Sequence, residues 1–184
     1  MTVEDYRTAA LRYRPDLIRV LFIAESPPKV KPGGRPSYFF FEDSASDLLF
    51  ATVICAVYGV KYTKDPARKA DLLGRLRSDG YWLMDVAERP INDVPAKRRP
   101  AVLRDHVPSF LERLDGLKRE GVIDGTTGLA LIKKDVWAVA VPILSAMGYR
   151  VLNREKPIGF PGYHRDRRTV KTIREALARA TRNS

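Results

Sequence analysis

Cysteine is almost missing from this chain: Cys55 stands alone among 184 residues. That excludes a disulfide framework within one chain, and a zinc or iron–sulfur centre held by cysteines. Histidine is nearly as scarce, limited to His106 and His164, and neither a metal nor another cofactor is expected. Long apolar runs are missing too. The longest, residues 48–60, is too short and too mixed to cross a bilayer. The N-terminus lacks the basic-then-apolar order of a signal peptide. No membrane partner and a cytoplasmic location are therefore expected. The chain carries no P-loop and no G-x-G-x-x-G, so the usual phosphate cradles are not expected. It also lacks the G-x-S-x-G elbow, which leaves a serine hydrolase triad little support.

Positive charge is what the chain has in excess. Lys and Arg number 33 against 22 Asp and Glu, giving a formal charge of +11 and an isoelectric point near 9.9. A balance of this size points to a polyanionic partner, most often nucleic acid. The length fits one domain over residues 1–184 with a sizeable core, and a monomer is expected.

Apolar patterning predicts strands alternating with helices. Residues 3–14 read as a helix, and 17–24 as a strand apolar on both faces, which suits a parallel sheet covered by helices. Helices are expected over 46–58, stopped by Gly59, and over 65–77, ended by Gly80. Further strands are expected at 81–86, 128–132 and 149–153. A helix from Pro100 is expected to kink or split at Pro108. Helices over 134–147 and 167–180 complete the pattern. The expected fold is a three-layer α/β/α sandwich around a mainly parallel four-stranded sheet. Ligands in such sheets sit at the carboxyl ends of the strands. The stretches AESPP, ERPIN and GFPGYH each follow a predicted strand, so they can converge there.

In AESPP, Glu25 and Ser26 stand at a strand mouth, and Pro27 and Pro28 stiffen the backbone beyond them. Both the floor of a site and an ordinary capped turn fit. In SYFFFED, consecutive aromatics on an extended chain alternate sides, so at least one of them is expected to line a surface or cavity, where a ring can stack a nucleobase. Asp85, near a strand end, could read a base edge or cap the next turn. Arg165, Arg167, Arg168 and Lys171 surround a helix start, where backbone N–H groups also face anions, a combination that suits phosphates. His164 lies in the same loop.

The order of these motifs resembles the uracil-DNA glycosylase superfamily. VLFIAESPP, an aromatic loop, a strand ending in D-x-x-x-R-P-x-N, GLALIKKDVW and IGFPGYHRDRRTVKTIREAL carry the likeness over roughly residues 19–177. The resemblance implies a DNA glycosylase that flips and excises a damaged or deaminated base, uracil or a related one. It aligns AESPP with the family's first motif. Ser26 takes the place of the Asp or Asn that orients water, and Glu25 the place of a glutamate found in the iron–sulfur members. Tyr38, Phe39 or Phe40 would supply the ring that stacks on the base. Asp85 lies closest to the family's base-reading Asn, although a gapless alignment places Met84 there. Phe160, Pro161, Gly162 and Tyr163 match the segment that enters the minor groove, with Arg165, Arg167 and Arg168 on phosphates. The family histidine of that segment is replaced by Phe160, and His164 or Glu25 would compensate. An ionised Asp85 only accepts hydrogen bonds and would repel uracil O4, so a base bearing an amine or an N–H edge is expected instead. The same residues admit two other readings. One is a nucleic-acid-binding protein that has lost catalysis, and the other is an enzyme of free nucleosides or nucleotides.

Overall fold

A computed structural model describes residues 1–30, 34, 37–44, 47–63, 65–162 and 167–181. Its centre is a four-stranded parallel sheet in the order β2-β1-β3-β4. The strands are β1 (Val20–Ala24), β2 (Tyr81–Asp85), β3 (Gly128–Leu131) and β4 (Arg150–Val151). Every residue of β1 and β3 is buried, as their continuous apolar sequences require of strands covered on both faces. Gly128 opens β3 because a Cβ there would stand 2.7 Å from the Leu152 side chain.

Six helices are described: α1 (Val3–Arg12), α2 (Leu48–Tyr58), α3 (Pro66–Ser78), α4 (Arg99–Arg119), α5 (Lys134–Ala146) and α6 (Arg167–Thr181). Their ends obey local chemistry. Thr2 and Asp5 form a reciprocal capping box on α1. The Asp47 carboxylate accepts from Phe50 N at the start of α2, and Gly59 closes that helix with φ 71°. Asp65 caps α3, with Pro66 at its first turn. α4 runs through Pro108 as one helix, so of the expected kink or split the split does not occur. Pro108 is exposed, so water can serve the carbonyl that loses its helical partner.

The chain leaves β1 toward one edge, reaching β2 through α2 and α3, then crosses back through α4 to β3 and on through α5 to β4. With right-handed crossovers, these opposite directions put α2 and α4 on opposite faces. Accordingly α2 packs on α6 and α4 on α5, which gives three layers. One cluster of buried apolar side chains spans the sheet and both helical layers. The fourth strand is shorter than expected, two residues instead of five. The buried Asn153 side chain replaces its end. Asn153 Oδ1 accepts from Leu131 N, and its Nδ2 donates to Leu131 O, both at 2.9 Å.

Candidate active site

The loops after β1 and β2 lock together at the carboxyl edge. Val86 N donates to Ala24 O and Ala87 N to Glu25 O, so the pairing outlasts both strands by a residue. Ile91 N donates to Ser26 Oγ at 3.4 Å and Lys29 N to Asn92 Oδ1 at 3.0 Å. Tyr6 of α1 donates its hydroxyl to Pro28 O at 2.7 Å. The AESPP corner is therefore clamped from two sides. The Ser26 hydroxyl serves as an acceptor in that clamp.

β1 is where the chain switches direction, because its exit leads to one face and those of β2 and β3 lead to the other. In parallel α/β sheets this is where a crevice opens. Glu25 leaves β1 at that point, and it is 7 % exposed. Lys133, just beyond β3, donates its Nζ to Glu25 Oε2. The second oxygen, Oε1, is buried with no partner among the described residues. A buried acceptor without a donor is rare and calls for a water or a ligand group.

On the other side of Glu25 stands Asp85, the last residue of β2 and 8 % exposed. Burial pushes its carboxyl up to about 7. The Arg113 guanidinium opposes that shift, while Glu25 and Asp47 add to it. Asp85 lines a cavity of about 440 Å³ together with Tyr6, Pro27, Tyr38, Met84 and Arg113. Among the described residues no group donates to the Asp85 carboxyl and none bonds the Tyr38 hydroxyl. Neither group is fully enclosed, so both open into this space. Burial also raises the Tyr38 hydroxyl pKa, with Asp85 adding to it, and keeps that group a donor. Arg7, Arg14, Glu88 and Glu120 line the same space farther out between α1 and α4, so Asp85 and Tyr38 are two of several polar groups set among its apolar walls, as in a small-ligand site. Met84 and Asp85 both line it.

Two sequence expectations need correction here. The segment 38–44 is a turn and not extended: Phe41 N donates to Tyr38 O, and Ser44 N to Phe41 O. A turn frees neighbouring rings from alternation. Phe39 and Phe40 therefore both point into the core, Phe39 edge-on to Phe50 and Phe40 against Trp82. Only Tyr38 of the three lines the cavity. The second correction concerns Asp85. With its pKa at about 7, part of the population is protonated at neutral pH and can donate as an amide does. Repulsion of a carbonyl edge thus applies only to the ionised fraction.

Phe160, beyond the Ile132–Ile158 bridge, is 54 % exposed, with Pro161 buried beside it and Gly162 exposed. Arg167 and Arg168 are exposed at the start of α6. Tyr163, His164 and Arg165 lie outside the described residues. Sequence reasoning passed over Lys133 and Arg113. A lysine directly after an apolar strand was the signal for the first. For the second it was an arginine next to the buried stripe of Leu103, Val107, Phe110, Leu114 and Leu117. Among the described residues, no group of three His, Cys, Asp or Glu could hold a metal ion, and no helix is long and apolar enough to cross a membrane. Comparison of the chain with family models, with curated proteins and with solved structures gives no match.

Proposed function

We propose that this protein is an N-glycosylase of the uracil-DNA glycosylase kind, acting on a damaged or deaminated base flipped out of DNA. The observation that carries this reading is the buried Oε1 of Glu25, without a partner among the described residues, at the switch point; Glu25 is not itself in the cavity lining but follows Ala24, the register partner of Asp85, which lines the cavity with Tyr38. Breaking a base–sugar bond builds positive charge on the sugar and negative charge on the base. Glu25, paired with Lys133, holds the attacking water on Oε1 and faces the growing cation. Tyr38 and the protonated form of Asp85 donate to the departing base. Phe160 is an apolar wedge at the same edge, suited to filling the gap that flipping leaves. Arg167 and Arg168 take phosphates. Ser26 acts through the loop clamp and not on the water.

The test is a panel of labelled oligonucleotides, each with one lesion (uracil, hypoxanthine, xanthine or an oxidised pyrimidine), treated afterwards with alkali to cleave at abasic sites. The expected outcome is a product on at least one lesion that disappears in Glu25→Gln. Salt-sensitive binding with no product on any lesion would establish the non-catalytic reading instead. Turnover of free nucleosides without salt dependence would establish the third.

A further inference from the structure

Lys133 is the one described non-glycine residue with a positive φ, 84° with ψ 136°. A side chain in that region costs on the order of 1–3 kcal/mol and persists only where the surroundings over-determine it. They do so here. Lys133 N donates to Ile158 O at 2.8 Å and Trp137 N to Lys133 O at 3.0 Å, fixing the residue between β3 and α5. The strain throws the side chain up over the carboxyl edge, onto Glu25 across the switch point. A strained strand-to-helix turn is how α/β hydrolases present a nucleophile above the sheet. A purely structural ion pair needs no such turn: Lys29–Asp93, Lys156–Glu175 and Arg179–Glu155 all form without one.

The pair is also asymmetric. The Glu25 side chain is 8 % exposed and that of Lys133 is 21 %, so Lys133 is the more accessible member of the pair. Glu25 Oε2, the acceptor in that pair, is placed to take the ammonium proton, and a lysine amine freed of its proton forms imines with carbonyl compounds. Base excision, on the reading above, leaves a sugar whose ring-opened form carries an aldehyde at C1′.

We propose that Lys133 forms an imine with the C1′ aldehyde of an abasic site, giving the protein a strand-cleaving lyase activity; this rests on the glycosylase reading for its substrate. Lys133 Nζ passes a proton to Glu25 and attacks C1′, so a C–N bond forms and the carbonyl becomes a carbinolamine. Glu25 returns that proton to the hydroxyl, which leaves as water, and a protonated imine remains. Glu25 then takes a proton from C2′. That C–H pair forms the enamine, which expels the 3′ phosphate by breaking C3′–O. Water hydrolyses the imine, freeing the amine and an unsaturated aldehyde.

The experiment uses full-length protein, a duplex with a synthetic abasic site and borohydride, which reduces an imine to a stable amine. Supplying the abasic site ready-made separates this step from base excision, which is assayed in parallel on the lesion panel. The expected result is a covalent protein–DNA adduct mapping to Lys133, retained in Lys118→Ala, an exposed lysine at the far end of α4, and abolished in Lys133→Arg. Arginine keeps the charge toward Glu25 and cannot form the imine, and the thermal melt of Lys133→Arg reports its fold. An adduct unchanged in Lys133→Arg, or mapping to another amine, overturns the assignment. So does the absence of adduct with wild type. Absence of adduct with lesion excision intact removes the lyase and leaves the glycosylase standing. Absence of both removes the two together.

Discussion

Asp85 holds its proton to about pH 7 because its carboxylate is buried at the end of β2 with only Arg113 to offset the desolvation. The first consequence is one of stability. In the unfolded chain the same group ionises near pH 4. Between those values the folded state binds more protons than the unfolded one, so stability from this group is complete below about pH 4 and lost as pH rises through about 7. Asp85→Asn stays neutral throughout. Its gain over wild type in urea melts is expected to grow from near zero at about pH 4 to on the order of 4 kcal/mol at about pH 8. The second consequence is chemical. Protonated Asp85 donates to a carbonyl edge and ionised Asp85 repels it. Excision of a carbonyl-bearing base such as uracil is expected to fall between about pH 6 and about pH 8, and Asp85→Asn is expected to flatten that part of the profile. An unchanged profile in the variant would remove Asp85 from base recognition.

Among the elements, the turn over residues 38–44 depends most on a single buried group. Lys69 of α3 is fully buried, donates its Nζ to Tyr38 O at 3.1 Å, lies 4.0 Å from Asp47 and stands over the Phe50 ring. It thus ties α3 to the turn that aims Tyr38 and to the cap of α2. Burial lowers its pKa to about 8. Between about 8 and the ordinary lysine range the unfolded chain binds the extra proton, so this group makes stability rise with pH. The rise is expected at about 1 kcal/mol per pH unit from about pH 8 to about pH 9.5, below where unfolded tyrosines ionise, and to be absent in Lys69→Met. Removing one partner strands the Asp47 carboxylate, so Lys69→Met is expected to cost about 3–5 kcal/mol near neutral pH. Adding Asp47→Asn should recover most of that loss in the same melts. None of this was legible in the sequence. Lys69 falls on a helix whose other cations, Arg68, Arg75 and Arg77, are exposed, and only the tertiary approach of residue 38 shows which cation is buried. The strands were legible because VLFIA, YWLMD and GLAL are apolar beyond what a one-sided strand needs. The site was legible in part. Glu25 and Asp85 stand where apolar runs stop, which the sequence displays. The backbone angle of Lys133 and the inward rotation of Phe39 and Phe40 depend on residues far along the chain.

At the scale of the whole molecule, the charge of +11 gains meaning from where the exposed cations sit. In a parallel α/β sheet every crossover helix starts at the carboxyl edge, so its N-terminus and the loop before it face the ligand. Lys97 and Arg98 lie before α4, Lys134 opens α5, and Arg167 and Arg168 open α6, all exposed. They surround the edge that carries Glu25, Lys133 and Phe160. Lys118 and Arg119 are equally basic and exposed, but they end α4 at the opposite edge, where Val122 O accepts from Ile18 N just before β1. Net charge alone predicts that both pairs matter equally, whereas a directed phosphate surface predicts that only one does. Replacing Arg167 and Arg168 by Ala is expected to lower the magnitude of the slope of log Kobs against log salt by about 2, one unit for each phosphate no longer neutralised. Replacing Lys118 and Arg119 is expected to leave the slope unchanged. Binding to duplexes of several sequences, titrated from low to moderate salt, separates the cases. Equal slopes for the two double variants would mean that charge attracts DNA without orienting it, and the carboxyl edge would lose its claim to be the face that meets the phosphates.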